Sequence, residues 1–212
     1  MPVRTTGAYF SAATDYLVEK TEAKQQGGDN LVSPLDIAEA ARLTMGGIDL
    51  DPMSHAIANE IVMASEFWTP KRTSDIFKLD WYGRVYLYPP RRSQVCTKAL
   101  EKLWLEHNEG RVREAVFFCD RFELLRACPW LHDYPICYPY QKPKILRLTG
   151  RELEPIERYR NEVWGFVVYF PDYQSAAPVV ATERFLKAFS TVGRVVQNRI
   201  EDPTWVEYWR RS

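Results

Sequence analysis

Paired metal-ligand spacing is missing from this sequence. Cys96, Cys119, Cys128 and Cys137, and His55, His107 and His132, all stand singly, with no C-x-x-C and no H-x-x-x-H among them. Locally encoded zinc sites are therefore excluded, and the thiols read as free and mostly buried, as in a reducing compartment. Net charge is also missing: 28 basic side chains balance 28 acidic ones. A duplex-DNA binder draws most of its affinity from neutralising phosphates, so any nucleic-acid surface here has to be a local patch. Neutrality also removes a solubility aid and favours a chain that lives with a partner. No apolar run approaches the ~18 residues of a membrane span, and "MPVRTTGAYF" does not read as a secretory signal. An intracellular chain is expected, its compartment open, since "RTTGAYFSAATDYL" has a transit-peptide flavour interrupted by Asp15 and Glu19. Glycine-rich phosphate loops, a G-x-S-x-G elbow and the protein-kinase motif set are absent as well.

What is present reads as one globular domain: 212 residues, 46% of them hydrophobic, are enough for a sizeable core. Apolar residues from Ala8 to Lys24 keep helical spacing and stop at "GGDN". The best-marked helix follows in "SPLDIAEAARLTMGG". Ser33 suits the N-cap, Pro34 the first helical position, Asp36 completes an S-x-x-D pattern, and Gly46 and Gly47 supply the stop. Next come a short strand (48–51), a helix in "SHAIANEIVMA", a loop in "TPKRTSD", and a strand over 83–88. A helix over 97–107, strands in "EAVFFC", "YPICYP" and "VWGFVVYF", and a last helix over 182–198 complete the pattern. Strands alternating with helices of this length argue for an α/β domain with a mostly parallel sheet and helices on both faces.

In such sheets ligands bind beyond the carboxyl ends of the strands, where the strand order reverses. Two strand ends stand out, "IDLDP" and "VYLYPP". In the second, a β-prone run meets two prolines, neither of which has an N–H to donate to a sheet ladder. The chain must leave the strand there at a rigid bend.

The order "SPLDIAEAAR … IDLDPMSHAIANEIVMASEFW … W-x-G-R-V-Y-L-Y-P-P" resembles the phage-type DNA N6-adenine methyltransferases over about residues 33 to 170. The resemblance implies a Rossmann-like class I methyltransferase sheet with S-adenosylmethionine as methyl donor, and no metal. It implies that Ser33 and Pro34 contact the methionine end of the cofactor, and that Asp49, Asp51, Pro52 and Asn59 line its site. Asp75 falls where the family's Asp meets the adenine amine, with Asp80 as rival. The family's N-P-P-[YF] motif maps onto Tyr88, Pro89, Pro90 and Arg91, the degenerate catalytic positions of this chain. In that chemistry the Asn oxygen and a proline carbonyl accept the two amine hydrogens, and the final aromatic stacks on the flipped base. Tyr88 cannot reproduce the amide acceptor, and Arg91 can replace only the stacking. Losing one such preorganised acceptor costs about 10² to 10³ in rate.

The expected organisation is an N-terminal helical extension over 1–32, a methyltransferase-like domain over 33–175, and a C-terminal helical extension over 176–212. The leading functional reading is a non-catalytic relative acting as a binding or structural subunit of a larger complex. The supply of 7 Trp, 12 Tyr and 10 Phe and the tail "WVEYWRRS" suit such a role. Two alternatives stand beside it. One is an active methyltransferase, on adenine or with a changed substrate. The other is a nucleic-acid-binding module gripping phosphates through Arg91, Arg92 and "PKR" at 70–72. Methyl transfer through Cys96 is set aside, since nothing near it in sequence activates the thiol.

Overall fold

The computed structural model describes residues 31–69, 76–90, 93–149, 152–155, 164–173 and 178–197. The helix expected over 8–24, the aromatic tail after 197, "PKR" at 70–72, Asp75, Arg91 and Arg92 lie outside the described residues.

After the short strand β1 (Leu31–Val32) comes helix α1 (Leu35–Met45). Pro34 occupies the N-cap and makes no side-chain capping bond. Ser33 therefore stands one residue earlier than the cap expected of it, and Asp36 accepts from the neighbouring Ile37 N–H. The stop falls where the glycines place it. Gly46 turns left-handed at φ 71° and Gly47 N–H returns to the Arg42 carbonyl, a turn that a side chain would strain. Strand β2 (Leu50–Asp51), helix α2 (Ala56–Val62) and strand β3 (Glu66–Phe67) follow, then strand β4 (Gly83–Leu87). Helix α3 (Ser93–Asn108) leads to β5 (Val112–Cys119). A short helix α4 (Glu123–Ala127) and a 3₁₀ turn at Pro129–Asp133 precede β6 (Ile136–Pro139). The hairpin β7 (Leu146–Thr149) and β8 (Glu152–Pro155) comes next, then β9 (Phe166–Phe170), α5 (Pro178–Phe189) and β10 (Gly193–Val196).

Seven strands form the main sheet in the order β10-β6-β9-β5-β4-β2-β3, and β1, β7 and β8 make a separate antiparallel sheet. The α/β class stands, and the main sheet is mixed. The pairings β2–β3, β2–β4 and β4–β5 are parallel, whereas β5–β9, β9–β6 and β6–β10 are antiparallel. β3, β2, β4, β5 and β6 therefore share one direction, and β9 and β10 run against them.

Alternation along the strands builds two cores. Val85, Leu87, Ala115, Phe117, Val168 and Phe170 face one side and meet Ala99, Leu100 and Leu103 of α3. Tyr86, Val116, Phe118, Val167 and Tyr169 face the other and meet Ile37 and Ala41 of α1 and Phe185 and Phe189 of α5. Helices thus cover both faces, which is why the central strands read as nearly unbroken apolar runs. The final helix spans 178–189 instead of 182–198, because Gly193–Val196 pairs along β6 as the edge strand. Residues 178–196, expected in an extension beyond 175, supply part of this core and sheet.

Candidate functional site

The chain winds from β2 outward to β3, then returns to the other side of β2 for β4 and continues to β5. The order reverses between β2 and β4, so their carboxyl ends form the switch-point crevice where α/β sheets bind ligands. Asp51 closes β2 there, and Tyr88, Pro89 and Pro90 leave β4 beside it. A cavity opens at that place, lined by Leu31, Ser33, Asp51, Met53, Ser54, His55, Ala58, Tyr88, Pro89 and Pro90.

Five residues singled out from the sequence are thereby brought together: Ser33, Asp51, Tyr88, Pro89 and Pro90. Pro34 caps α1, and Pro52 is buried directly after Asp51 without lining the cavity. Asp49 and Asn59 are committed elsewhere. Asp49 lies toward the amino ends of the strands, its oxygens accepting from Nε and Nη2 of Arg84 at 3.0 and 2.6 Å and from the Arg84 backbone N–H at 2.9 Å. Arg84 also donates to the carbonyls of Met45 and Gly46 at the end of α1, placing a cation where the helix dipole wants one. Asn59 brackets the left-handed turn at Met63, donating to the Ala64 carbonyl at 3.1 Å and accepting from its N–H at 2.9 Å. Asp80 is exposed in a loop. Trp81 is fully buried, its Nε1 donating to the Ile76 carbonyl. Much of the W-x-G-R-V pattern that carries the resemblance therefore builds the frame.

Asp51 is almost completely buried, with Oδ1 accepting from the Met53 N–H at 3.2 Å. Burial pushes its carboxyl up to about 7, against the opposing pull of the Met53 N–H and the Ser54 hydroxyl. His55 caps α2: its Nδ1 accepts from the Ala58 N–H at 3.2 Å, which leaves Nε2 to carry the proton of the neutral ring. Burial holds this imidazole down to about 4. Near neutrality the cavity thus contains a half-ionised carboxyl and an uncharged histidine. The pair can hold or pass a proton, as a general acid or base would. Sequence reading missed His55, because a histidine standing alone before a helix carries no spacing signal; its position four residues beyond a strand-ending aspartate was the available hint.

Tyr88 continues the alternation of β4. Its ring packs on Phe118 at 4.8 Å between centroids, tilted by 39°, in the α1–α5 core. Tyr88 is 8% exposed, so it is a packing element as much as a cavity wall. Burial raises the Tyr86 phenol well above its ordinary range, with the Ser33 hydroxyl beside it pulling the other way.

The cavity encloses ≈ 30 Å³, room for about one water. A cofactor-sized ligand needs roughly 300 to 1,000 Å³. Asp51 has the chemistry to accept from a ribose or an amine. Cys96, after the bend, is buried with its Sγ 3.6 Å from that of Cys119, whose thiol burial pushes up. Such thiols are inert as nucleophiles. Among the described residues no group of three or more His, Cys, Asp or Glu is placed to hold a metal ion, and no helix is long and apolar enough to cross a membrane.

Compared with known proteins, the chain matches no family model, no curated protein and no solved structure.

Proposed function

We propose that this chain is a non-catalytic relative of the DNA N6-adenine methyltransferases that works as a binding or structural subunit of a larger assembly. One observation carries the reading. The switch-point crevice, where cofactor and target amine would meet, has ≈ 30 Å³ of enclosed space, and Tyr88 stands in its wall in place of an amide acceptor. Methyl transfer to an exocyclic amine needs an acceptor held ready for the amine hydrogens, and the phenol is instead engaged in packing on Phe118. The subunit role is supported by the zero net charge and by aromatic rings left at the surface, such as Trp104, 38% exposed and 5.7 Å from the Trp130 ring.

The test is calorimetric titration of the full chain with S-adenosylmethionine and with its demethylated product. No saturable heat up to millimolar ligand is expected from either. Micromolar binding that Asp51→Ala weakens, followed by methyl transfer to a DNA, RNA or protein acceptor, would overturn the reading and return the chain to the active methyltransferases; binding without transfer leaves it non-catalytic with its cofactor site intact.

A further inference from the structure

The opposite end of the sheet holds a second cavity, larger and differently built, and it bears no relation to the methyltransferase reading. It is a cleft of ≈ 280 Å³, open to solvent on one side, lined by Met45, Arg113, Glu114, Asp172, Val180, Ala181 and Arg184. Arg113 and Glu114 are consecutive residues of β5, and in a straight strand consecutive side chains point to opposite faces. The register explains how both reach one cavity. Gly83 pairs with Val112 and Arg84 with Glu114, so Arg113 is an extra residue on β5 opposite a glycine at φ 69°. The core records the same shift. Val112 and Ala115, three apart, face the α3 side, while Glu114 sits with Tyr169 and Arg184 on the other. Bulges are rare between parallel strands, and they characteristically re-aim a side chain beside a functional site.

The re-aimed group is a guanidinium that also helps hold the Asp49 carboxyl below its usual range. Among the described residues its one ion pair is Nε to Asp172 Oδ2 at 4.0 Å, the outer limit of such a contact. Glu114, by contrast, is buried and saturated: its oxygens accept from the Tyr169 hydroxyl at 2.7 Å and from Arg184 Nη2 at 3.1 and 3.2 Å. The carboxylate acceptors nearest the core are therefore spent, whereas Arg113 still has donors to give. A planar guanidinium matches the paired oxygens of a carboxylate or phosphate. The volume falls just below that of drug-sized sites, which selects a small ligand.

We propose that this cavity binds a small oxyanion, a phosphate or carboxylate group, with the bulged Arg113 as its principal donor and Arg184 as the second cation. The anion takes over Arg113 from Asp172, which is its internal competitor.

The test titrates the full chain with inorganic phosphate, and separately with acetate, in a calorimeter at an ionic strength fixed with chloride. Saturable binding of one or both is expected, and which of them binds identifies the chemistry of the anion. Arg113→Ala should weaken it by about tenfold or more, and Arg113→Lys should lose most of it too, since a point charge lacks the fork. Asp172→Asn should tighten it. Arg113 is half exposed, so its variants fold, and unchanged melting without ligand will show this. No saturable binding of either anion, or binding that Arg113→Ala leaves unchanged, overturns the proposal.

Discussion

Asp49 meets Arg84 with both of its oxygens at the amino ends of the strands, whereas Asp51, two residues further on, is buried at the switch-point cavity with the Met53 N–H and the Ser54 hydroxyl for company. The pair at Arg84 holds the Asp49 carboxyl below the usual range, and burial pushes that of Asp51 up to about 7. The same residue type on either side of Leu50 is thus an ion at one position and a half-neutral acid at the other. Charge is tolerated where a guanidinium and partial solvent share it, and suppressed where burial outweighs two neutral donors. The two cavities follow suit. The amino-end cavity is walled by paired ions and has room for a small ligand, while the carboxyl-end cavity is walled by Tyr88, His55 and two prolines and has room for about one water.

The largest way to sharpen this contrast is Asp51→Asn. The folded Asp51 pKa lies above its unfolded value of about 3.8, so the folded state binds the extra proton between those limits. Stability is therefore lost as pH rises from about 4 to about 7, and the lost amount approaches roughly 4 kcal/mol above pH 7. Asn carries no such penalty and can still accept from the Met53 N–H. The variant should be the more stable protein at pH 8 by up to about that amount, with the advantage vanishing near pH 4; urea unfolding across this range measures it. A variant less stable than the parent at pH 8 would break the comparison.

Tyr88→Ala comes next. Removing a ring packed on Phe118 should cost about 3 kcal/mol at any pH, read from the shift in the urea midpoint. A cost near zero would mean that Tyr88 is only a cavity wall. The smallest effect has the opposite sign to the first. Asp49→Asn leaves Arg84 without its anion and should destabilise the protein by about 2 kcal/mol near neutrality. The Asp49 pKa is depressed, so its stabilisation is present above about pH 4 and fades as pH falls through the folded value. The gap between parent and variant should close in acid.

A good part of the fold was legible in the chain. The glycine stop of α1, the strands of "RVYL", "EAVFFC" and "FVVYF", and the position of the bend after β4 are written in local chemistry, because capping, alternation and proline act over a few residues. The direction of β9 and the edge role of β10 were not legible. Both depend on which strand a segment pairs with, and a short apolar run looks the same in either orientation. In the site, the two strand ends could be read as neighbours from the rule that governs open sheets, yet the allotment of roles between Asp49 and Asp51 could not. Both stand in "IDLDP" with the same local signature, and only the arrival of Arg84 from a distant strand separates them.

By itself, then, the sequence determined the elements, the rigid exit at Pro89 and Pro90, and a tyrosine at the last position before that exit. Tertiary structure decided the rest. It set how much space remains between Tyr88 and His55, which aspartate keeps its charge, and that a bulge opposite Gly83 turns Arg113 into a cavity. Volume, burial and strand register are properties of segments far apart in the chain, and they exist only once those segments meet.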